Sequence, residues 1–172
     1  MIAKGEARAD RETTRADLPL QDAVVPMGEF LEVKMQLDKA IQIAVLAHAG
    51  QIDRAGQPYI LHPLRVMLAA SSHDERIVAI LHDVVEDSDW SIERLRAEGL
   101  TEVQAHALDA VTKREGEDYP QFIERGASDP LGRAVKILDL RDNSDRTRIE
   151  DPSPKHLARF EKYRQALAQL GA

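Results

Sequence analysis

The chain has 172 residues, a net charge of −7 and no cysteine. This length suits one domain with its own hydrophobic core, and the lack of cysteine excludes a disulfide framework and a thiolate zinc site. The 30 acidic residues outnumber the 23 basic ones, and no basic stripe of the kind that follows a phosphate backbone is present, so we expect no nucleic-acid partner. No stretch of roughly 20 apolar residues and no secretory signal occurs. We therefore expect a cytoplasmic protein without a membrane partner.

Residues 1–30 are polar and charged without sustained periodicity. We interpret them as a mobile N-terminal leader outside the folded domain, which we place at residues 31–172. From Leu37 onward the apolar residues recur with helical rather than alternating spacing. The first helical segment, LDKAIQIAVLAHAG, ends at Gly50.

The loop QIDRAGQPY follows, and its glycine and proline predict an irregular connection before a second helix begins in ILHPLRVMLAA. The proline of that segment is tolerable only in the first helical turn. No segment predicts a strand, so the sequence predicts an all-α, single-domain helical bundle. Further helix starts are predicted at capping residues, two of them followed by proline: Ser72, Ser91, Thr101, Asp129 and Ser153.

The segment ILHDVVED, Ile80 to Asp87, places polar and ionisable side chains in an otherwise apolar helix. In one continuous helix, Glu86 would lie over His82 and Asp87 over Asp83, because residues four apart share a face. Such groups are costly to bury unless something pairs with them. A divalent cation is the simplest partner, and it would also help an acidic chain to bind an anionic substrate.

Two histidines and two aspartates on different predicted helices form a candidate metal site. Two imidazoles and two carboxylates roughly balance a dication and leave positions for water or phosphate oxygens. A single buried His or Asp is more often a hydrogen-bonded core residue, but the adjacent His82-Asp83 pair would need two separate buried partners. The candidate ligands are His62, His82, Asp83 and Asp139.

The remaining histidines are interpreted as structural or solvated, although His48 lies just before the loop and could line a pocket. Tyr119 and Phe122 could stack on a base, but aromatics three residues apart on a short helix are more typical of a core. The last segment, SPKHLARFEKYRQALAQL, predicts a basic amphipathic helix that either packs on the bundle or meets a partner.

Five motifs, in order and in register, resemble the hydrolase domain of RelA/SpoT-type alarmone enzymes, within the HD superfamily of metal-dependent phosphohydrolases. The resemblance runs from about Leu37 to Asn143. A lone His-Asp pair would carry little weight, whereas five motifs together are specific. They are HAGQ, GQPYILHPL, ILHDVVED, VTK and VKILDLRDN.

The resemblance implies an HD-type bundle in which the four candidate ligands hold Mn²⁺. It also implies that Glu86 and Asp87 assist the attacking water and that Asn143 contacts the nucleotide sugar. The implied reaction is hydrolysis of the 3′-pyrophosphate of guanosine tetra- or pentaphosphate, the alarmone of the stringent response. It releases pyrophosphate and GDP or GTP. With no synthetase motif after Asn143, we expect a hydrolase only, acting on a small-molecule nucleotide.

One departure from the family pattern concerns the loop. Where those enzymes usually have an arginine, one residue after the Gly-Gln pair, this chain has Asp53, followed by Arg54. Arg54 either binds substrate from a shifted position or is a surface charge of the loop.

Three other functions stay open from the sequence. The chain could be an HD phosphohydrolase of another nucleotide or phosphoester, or a non-catalytic module that binds nucleotide or metal. A purely structural helical adaptor would leave ILHDVVED unexplained.

Overall fold

The computed structural model describes residues 34–149 and 151–172. The leader predicted at residues 1–30 lies outside the described residues. Within them the chain forms α-helices, one short 3₁₀ helix (η1) and no strand, which confirms the predicted all-α class. The elements are α1 (Leu37–Ala47), α2 (Leu61–Ala69), α3 (His73–Leu81), α4 (Val84–Asp87), α5 (Ile92–Ala97), α6 (Glu102–Val111), α7 (Tyr119–Ser128), α8 (Pro130–Asn143), η1 (Arg146–Arg148) and α9 (Pro154–Gln169).

The predicted helix starts are confirmed, because each predicted capping residue accepts a backbone N–H from the first turn of its helix. Ser72, Thr101 and Ser153 do so within reciprocal capping boxes. Ser91 and Asp129 cap α5 and α8 without the reciprocal contact. These bonds satisfy donors that a helix start would otherwise leave unpaired. Local sequence therefore determines where most of the helices begin.

Helix α3 is the centre of the bundle. Every residue from Ile77 to Leu81 is fully buried, and α3 packs against α1, α2, α6 and α8. A second apolar cluster joins α7, α8 and α9 around Ile123, Leu140 and Leu170. Helix α8 thus contributes to both clusters, through Val135 to the first and through Leu140 to the second. The last helix packs on the bundle, as its amphipathic pattern allows.

The segment ILHDVVED is not one continuous helix, and that prediction was wrong. Helix α3 ends at Leu81, His82 and Asp83 form a turn, and α4 begins at Val84. The ring Nδ1 of His82 donates to the carbonyl oxygen of Ala79 at 2.8 Å, so a side chain binds a carbonyl of the last turn of α3. The amide of Asp87 still bonds to the carbonyl of Asp83, at 3.0 Å. The two acidic residues of α4 therefore stay next to the His-Asp pair.

The irregular loop between α1 and α2 is confirmed. A single bridge pairs Ile52 with Pro58, and Gly56 at the tip has a φ of 75°, which favours glycine. The Oδ1 atom of Asp53 accepts the amides of Ala55 and Gln57, each at 2.9 Å. Within the described part of the chain, no helix combines the length and apolar character that a bilayer span requires.

Candidate active site

The donor atoms of His62, His82 and Asp139 lie within 4.8 Å of one another, and all three residues are buried. The two Nε2 atoms are 3.2 Å apart, and Asp139 Oδ1 is 3.3 Å from His62 Nε2 and 3.7 Å from His82 Nε2. These residues come from α2, the turn after α3, and α8. Three separate segments therefore bring metal-binding atoms to one point.

Asp83 completes the arrangement from the turn between α3 and α4. Its Oδ2 atom is 3.0 Å from His82 Nε2 and 3.5 Å from His62 Nε2. The same oxygen accepts the hydroxyl of Tyr59 at 2.5 Å. The four residues predicted as ligands are thus neighbours in the fold, although the sequence separates the first from the last by more than 70 residues.

The hydrogen bonds on the far side of each imidazole test whether these residues fit a metal. His82 Nδ1 faces the carbonyl oxygen of Ala79, which can only accept, and His62 Nδ1 faces Asp142 Oδ2 at 2.7 Å. Both Nδ1 atoms are therefore donors, and in neutral rings both Nε2 atoms present lone pairs to the same point. Such outer hydrogen bonds are typical of metal-binding histidines. The donor set fits a divalent cation.

The carboxylates beside the two imidazoles also determine how strongly these rings bind protons. Burial by itself lowers the pKa of His82, but the carboxylates of Asp83 and Asp139 outweigh burial and hold that pKa well above its usual value. Burial likewise lowers the pKa of His62, and hydrogen bonds to Asp139 and Asp142 raise it beyond the usual value. A cation must therefore compete with protons for this site.

The pKa values of the two aspartates in the cluster are shifted downward, opposite to those of the histidines. Burial raises the pKa of Asp139, but Lys136 and the two imidazoles lower it far below its usual value. Burial also raises the pKa of Asp83, and the charge and hydrogen bond of His82 overcome that effect, leaving the pKa lowered. Both groups are therefore ionised at neutral pH.

Two charged residues that the sequence analysis did not assign brace these ligands. Buried Lys136 donates to Asp139 Oδ2 at 2.8 Å, with its ammonium 4.4 Å from the centre of the Phe122 ring. Asp142, which holds His62, also accepts Arg65 Nε at 2.6 Å and Nη2 at 3.0 Å. A signal for them existed, since Lys136 and Asp142 lie three residues before and after Asp139 and so share its side of α8.

The two acidic residues of α4 line the cavity beside the cluster. Glu86 Oε1 accepts the backbone amide of Lys113, the last residue of VTK, at 2.6 Å. Burial raises the pKa of Glu86, with a further contribution from Asp83. Burial and then the charge of Asp83 raise the pKa of Asp87. A carboxyl group with a raised pKa is a stronger base once ionised, which suits proton transfer.

The two predicted substrate-binding residues both line the same cavity. Arg54 is exposed on the loop between α1 and α2. Asn143 lies one turn after Asp139, as its spacing indicates, and its side-chain amide donates to Asp139 Oδ1. Asn143 therefore contacts a candidate metal ligand directly, which the sequence did not predict.

The cavity measures about 470 Å³, within the range of small-molecule sites. The candidate cluster, the loop after Gln51 and η1 form three of its walls. Helix α9 forms another, so the last helix has a second role besides packing. From α9 the cavity receives His156, Arg159, Phe160 and Tyr163.

Tyr119, Phe122 and His48 are not among the residues that line the cavity. Phe122 is buried in the core, and Tyr119 packs against the second apolar cluster. His48 is buried with its ring centre 5.0 Å from that of Tyr59, and its Nδ1 atom is hydrogen-bonded to Gln51 at 2.8 Å. His48 therefore supports the loop from behind Tyr59.

No model of a protein family matches the chain. It is 36% identical over 129 residues to a Mycobacterium leprae protein named probable GTP pyrophosphokinase. This match covers 67% of this chain and 16% of the relative. The chain is 32% identical over 120 residues to an Aquifex aeolicus protein named guanosine-3′,5′-bis(diphosphate) 3′-pyrophosphohydrolase, covering 63% of this chain and 17% of that protein. A Mycobacterium tuberculosis protein named bifunctional (p)ppGpp synthase/hydrolase RelA is 33% identical over 161 residues, covering 84% of this chain and 21% of the relative.

Among solved structures, the chain resembles one described as a metazoan ortholog of SpoT that hydrolyses ppGpp. The TM-score is 0.65 at 20% identity, with 78% of this chain and 84% of that chain covered. This likeness establishes the fold, and the relatives establish the kinship in sequence. The chain is therefore a homologue of RelA/SpoT-type enzymes and has the HD-type helical fold of their hydrolase domain.

Proposed function

We propose that the chain is a metal-dependent hydrolase that removes the 3′-pyrophosphate of guanosine tetra- or pentaphosphate. The observation that carries this proposal is the convergence of His62, His82 and Asp139 beside a cavity lined by Glu86 and Asp87. The names of the relatives supply the substrate class. Because the chain spans only about a fifth or less of those relatives, the substrate is proposed from the site as well as from the kinship.

The resident metal in this proposal is Mn²⁺, held by His62, His82, Asp83 and Asp139. Imidazole and carboxylate ligands suit a divalent cation of intermediate hardness. When bound, such a cation supplies Lewis-acid activation of water and of a phosphoryl oxygen. The outer contacts from Asp142 and Lys136 hold two of these ligands in place, which keeps the site organised for binding.

Glu86 is the residue best placed to accept a proton from water. Its Oε1 atom is occupied by the amide of Lys113, and no other described residue donates to this carboxylate, so Oε2 is free to act as the base. The attacking water bonds to the phosphorus next to the ribose 3′ oxygen, and the bond between that oxygen and phosphorus breaks. The 3′ oxygen leaves and takes up the proton that Glu86 accepted from the water, a transfer that Asp87 assists. The products are pyrophosphate and GDP or GTP.

The walls of the cavity suit a nucleotide with several phosphates. Arg54 and Arg159 line it, so two cations stand in a cavity that is also lined by the carboxylates of Glu86 and Asp87. Such a distribution offsets the unfavourable net charge of the chain for a polyanion. Asn143, beside the candidate metal ligand Asp139, is positioned to contact the sugar that carries the scissile phosphate.

Some relatives are named pyrophosphokinases and others hydrolases. We propose hydrolysis only, because the residues brought together here are metal ligands and carboxylates for water activation. We place this activity in a domain of residues 31–172, and in the cytoplasm, where a guanine nucleotide would be met.

The test is release of pyrophosphate from purified protein loaded with Mn²⁺, using guanosine tetraphosphate, a panel of other nucleotides and simple phosphoesters. Metal-free protein is the control. Metal-dependent release of pyrophosphate from the alarmone, well above all other substrates, is expected. Turnover of other members alone would keep the chemistry and overturn the substrate, whereas tight metal and nucleotide binding without turnover would indicate a binding module.

A further inference from the structure

Arg148, the last residue of η1, bonds to two carboxylates that lie far from each other in the sequence. Its Nη2 atom is 2.5 Å from Asp53 Oδ2, and its Nη1 atom is 2.8 Å from Asp142 Oδ2. Asp53 belongs to the loop between α1 and α2, and Asp142 to the end of α8. One guanidinium group thus links the loop and the end of α8 to η1.

The contacts of this group are more enclosed than those of an ordinary surface ion pair. The side chains of Asp53, Asp142 and Arg148 are 7%, 12% and 22% exposed. Arg148 is the only residue within ion-pair distance of Asp53 among those the structure describes, whereas Asp142 also holds Arg65. Removing Arg148 would therefore leave Asp53 partly buried without a cation, which is costly.

The loop that Asp53 anchors carries several residues of the candidate site. Ile52, Asp53, Arg54 and Ala55 line the cavity, and Tyr59 at the end of the loop donates to Asp83. The Oδ1 atom of Asp53 holds the amides of Ala55 and Gln57 while Oδ2 faces Arg148. The orientation of this one carboxylate therefore couples the shape of the loop to η1.

We propose that Arg148 is a positioning residue that clasps the loop at residues 51–59 against η1 and α8, and so fixes Arg54 and Tyr59 for a phosphorylated ligand. At the loop position where the family resemblance implies an arginine, this chain has Asp53, and its carboxylate binds Arg148 of η1. The effect on ligand binding rests on the proposed function, while the effect on the loop does not.

The first experiment measures the loop without any substrate. Hydrogen exchange is followed by mass spectrometry on peptides that cover residues 51–59, in wild type, Arg148→Met, Asp53→Asn and the double variant. We expect the loop amides to exchange about tenfold faster than in wild type in each single variant. The double variant should exchange no faster than either single variant, because both changes break the same ion pair. Arg148→Lys, which keeps the charge, should fall between wild type and Arg148→Met.

The matched control is Arg146→Met, because Arg146 also lies on η1 but its guanidinium faces the ring of Phe160, 5.5 Å away, rather than a carboxylate of the loop. This variant should leave loop exchange unchanged. Exchange in α3 peptides and the Tm report any general loss of the fold. A uniform increase in all peptides would show that Arg148 is merely structural and would overturn the proposal.

The second experiment measures steady-state hydrolysis by the same variants. We expect Arg148→Met and Asp53→Asn to raise KM by about three- to tenfold, without additivity, and to change kcat by less than about threefold. Faster loop exchange in a chain with no activity on the alarmone would support the clasp and refute the proposed function. Normal loop exchange, or additive effects on KM in an active enzyme, would refute the clasp alone.

Discussion

The ammonium group of Lys136 lies 2.8 Å from Asp139 Oδ2, so a buried cation shares the carboxylate on which the candidate metal site depends. In metal-free protein this pair leaves neither charge alone in the core. A bound dication would bring a second positive charge to the same carboxylate. The two cations therefore both stabilise Asp139 and repel each other.

Lys136→Met should lower the Tm of metal-free protein, because it leaves Asp139 buried without its nearest cation. The expected loss is about 3 kcal/mol, equivalent to roughly 6–12 °C for a chain of this size. The rise in Tm on adding Mn²⁺ should be larger than in wild type, since the repulsion is gone. Thermal melts with and without the metal measure both effects. Lys155→Met, which removes an exposed lysine, is the control, and an equal rise in Tm in the two variants would contradict the prediction.

Asp83→Ala should abolish stoichiometric metal binding and turnover, since it removes one of the two carboxylates beside the imidazoles. Metal content after gel filtration, together with circular dichroism, separates loss of the site from loss of the fold. Asp145→Asn is the matched control, because Asp145 lines the same cavity but its carboxylate accepts from Thr147. Full metal content in Asp83→Ala would refute its role as a ligand.

Glu86→Gln should retain the metal and lose about 100-fold or more of kcat, the usual scale for a general base. Burial raises the pKa of Glu86, so its basic, ionised form is gained only as the pH rises through that raised value. Wild-type kcat should therefore fall on the acidic side at a higher pH than an ordinary glutamate would give. A pH–rate profile measures this, with Glu124→Gln as an exposed control. Unchanged turnover in Glu86→Gln would remove it from the mechanism.

Asn143→Ala should raise KM for the alarmone by about tenfold, the value of one or two lost hydrogen bonds, and leave the fold intact. Because the Asn143 amide also donates to Asp139, a modest loss of metal affinity should accompany it. Steady-state kinetics at saturating Mn²⁺ isolate the effect on substrate. A KM equal to that of wild type would count against a contact with the sugar.

The stabilisation by Mn²⁺ should increase with pH. The pKa values of His62 and His82 are raised above the usual value, so their protonation stabilises metal-free protein at low pH, and this contribution is lost as the pH rises through the raised values. The metal needs the unprotonated rings, so its benefit grows over the same interval. The gain in Tm from Mn²⁺ should be small near about pH 6 and larger near about pH 8.5. Asp83→Ala should show no such trend, and a gain that shrinks with pH would contradict the mechanism.

The helix boundaries could be predicted because their causes are local. Ser72 and Thr101 bind amides three residues away, and the sequence shows both partners at once. The turn at His82 and Asp83 could not be predicted, because Ile80 to Asp87 has the apolar pattern of an uninterrupted helix. There the positions of side chains in the folded site override the local preference.

The candidate metal ligands could be recognised from residue type and order. The residues that hydrogen-bond to these ligands and to the loop could be recognised only in part. Lys136 and Asp142 flank Asp139 at helical spacing, which is a pattern visible in the sequence. Arg148 and Asp53 are 95 residues apart and meet only because α8 and the loop end at the same side of the bundle. Contacts of that kind follow from tertiary packing, and no local rule indicates them.

The hydrogen bond from Tyr59 to Asp83 gives the candidate site its own chromophore. Burial and the charge of Asp83 raise the pKa of Tyr59, so this ring stays a neutral phenol throughout the working range of pH. The chain has only three tyrosines and one tryptophan, which keeps its near-ultraviolet spectrum simple. A cation bound by the Asp83 carboxylate would weaken the hydrogen bond from the Tyr59 hydroxyl and so shift the ultraviolet absorption of the Tyr59 ring. Occupancy of the site can therefore be followed optically in unlabelled protein.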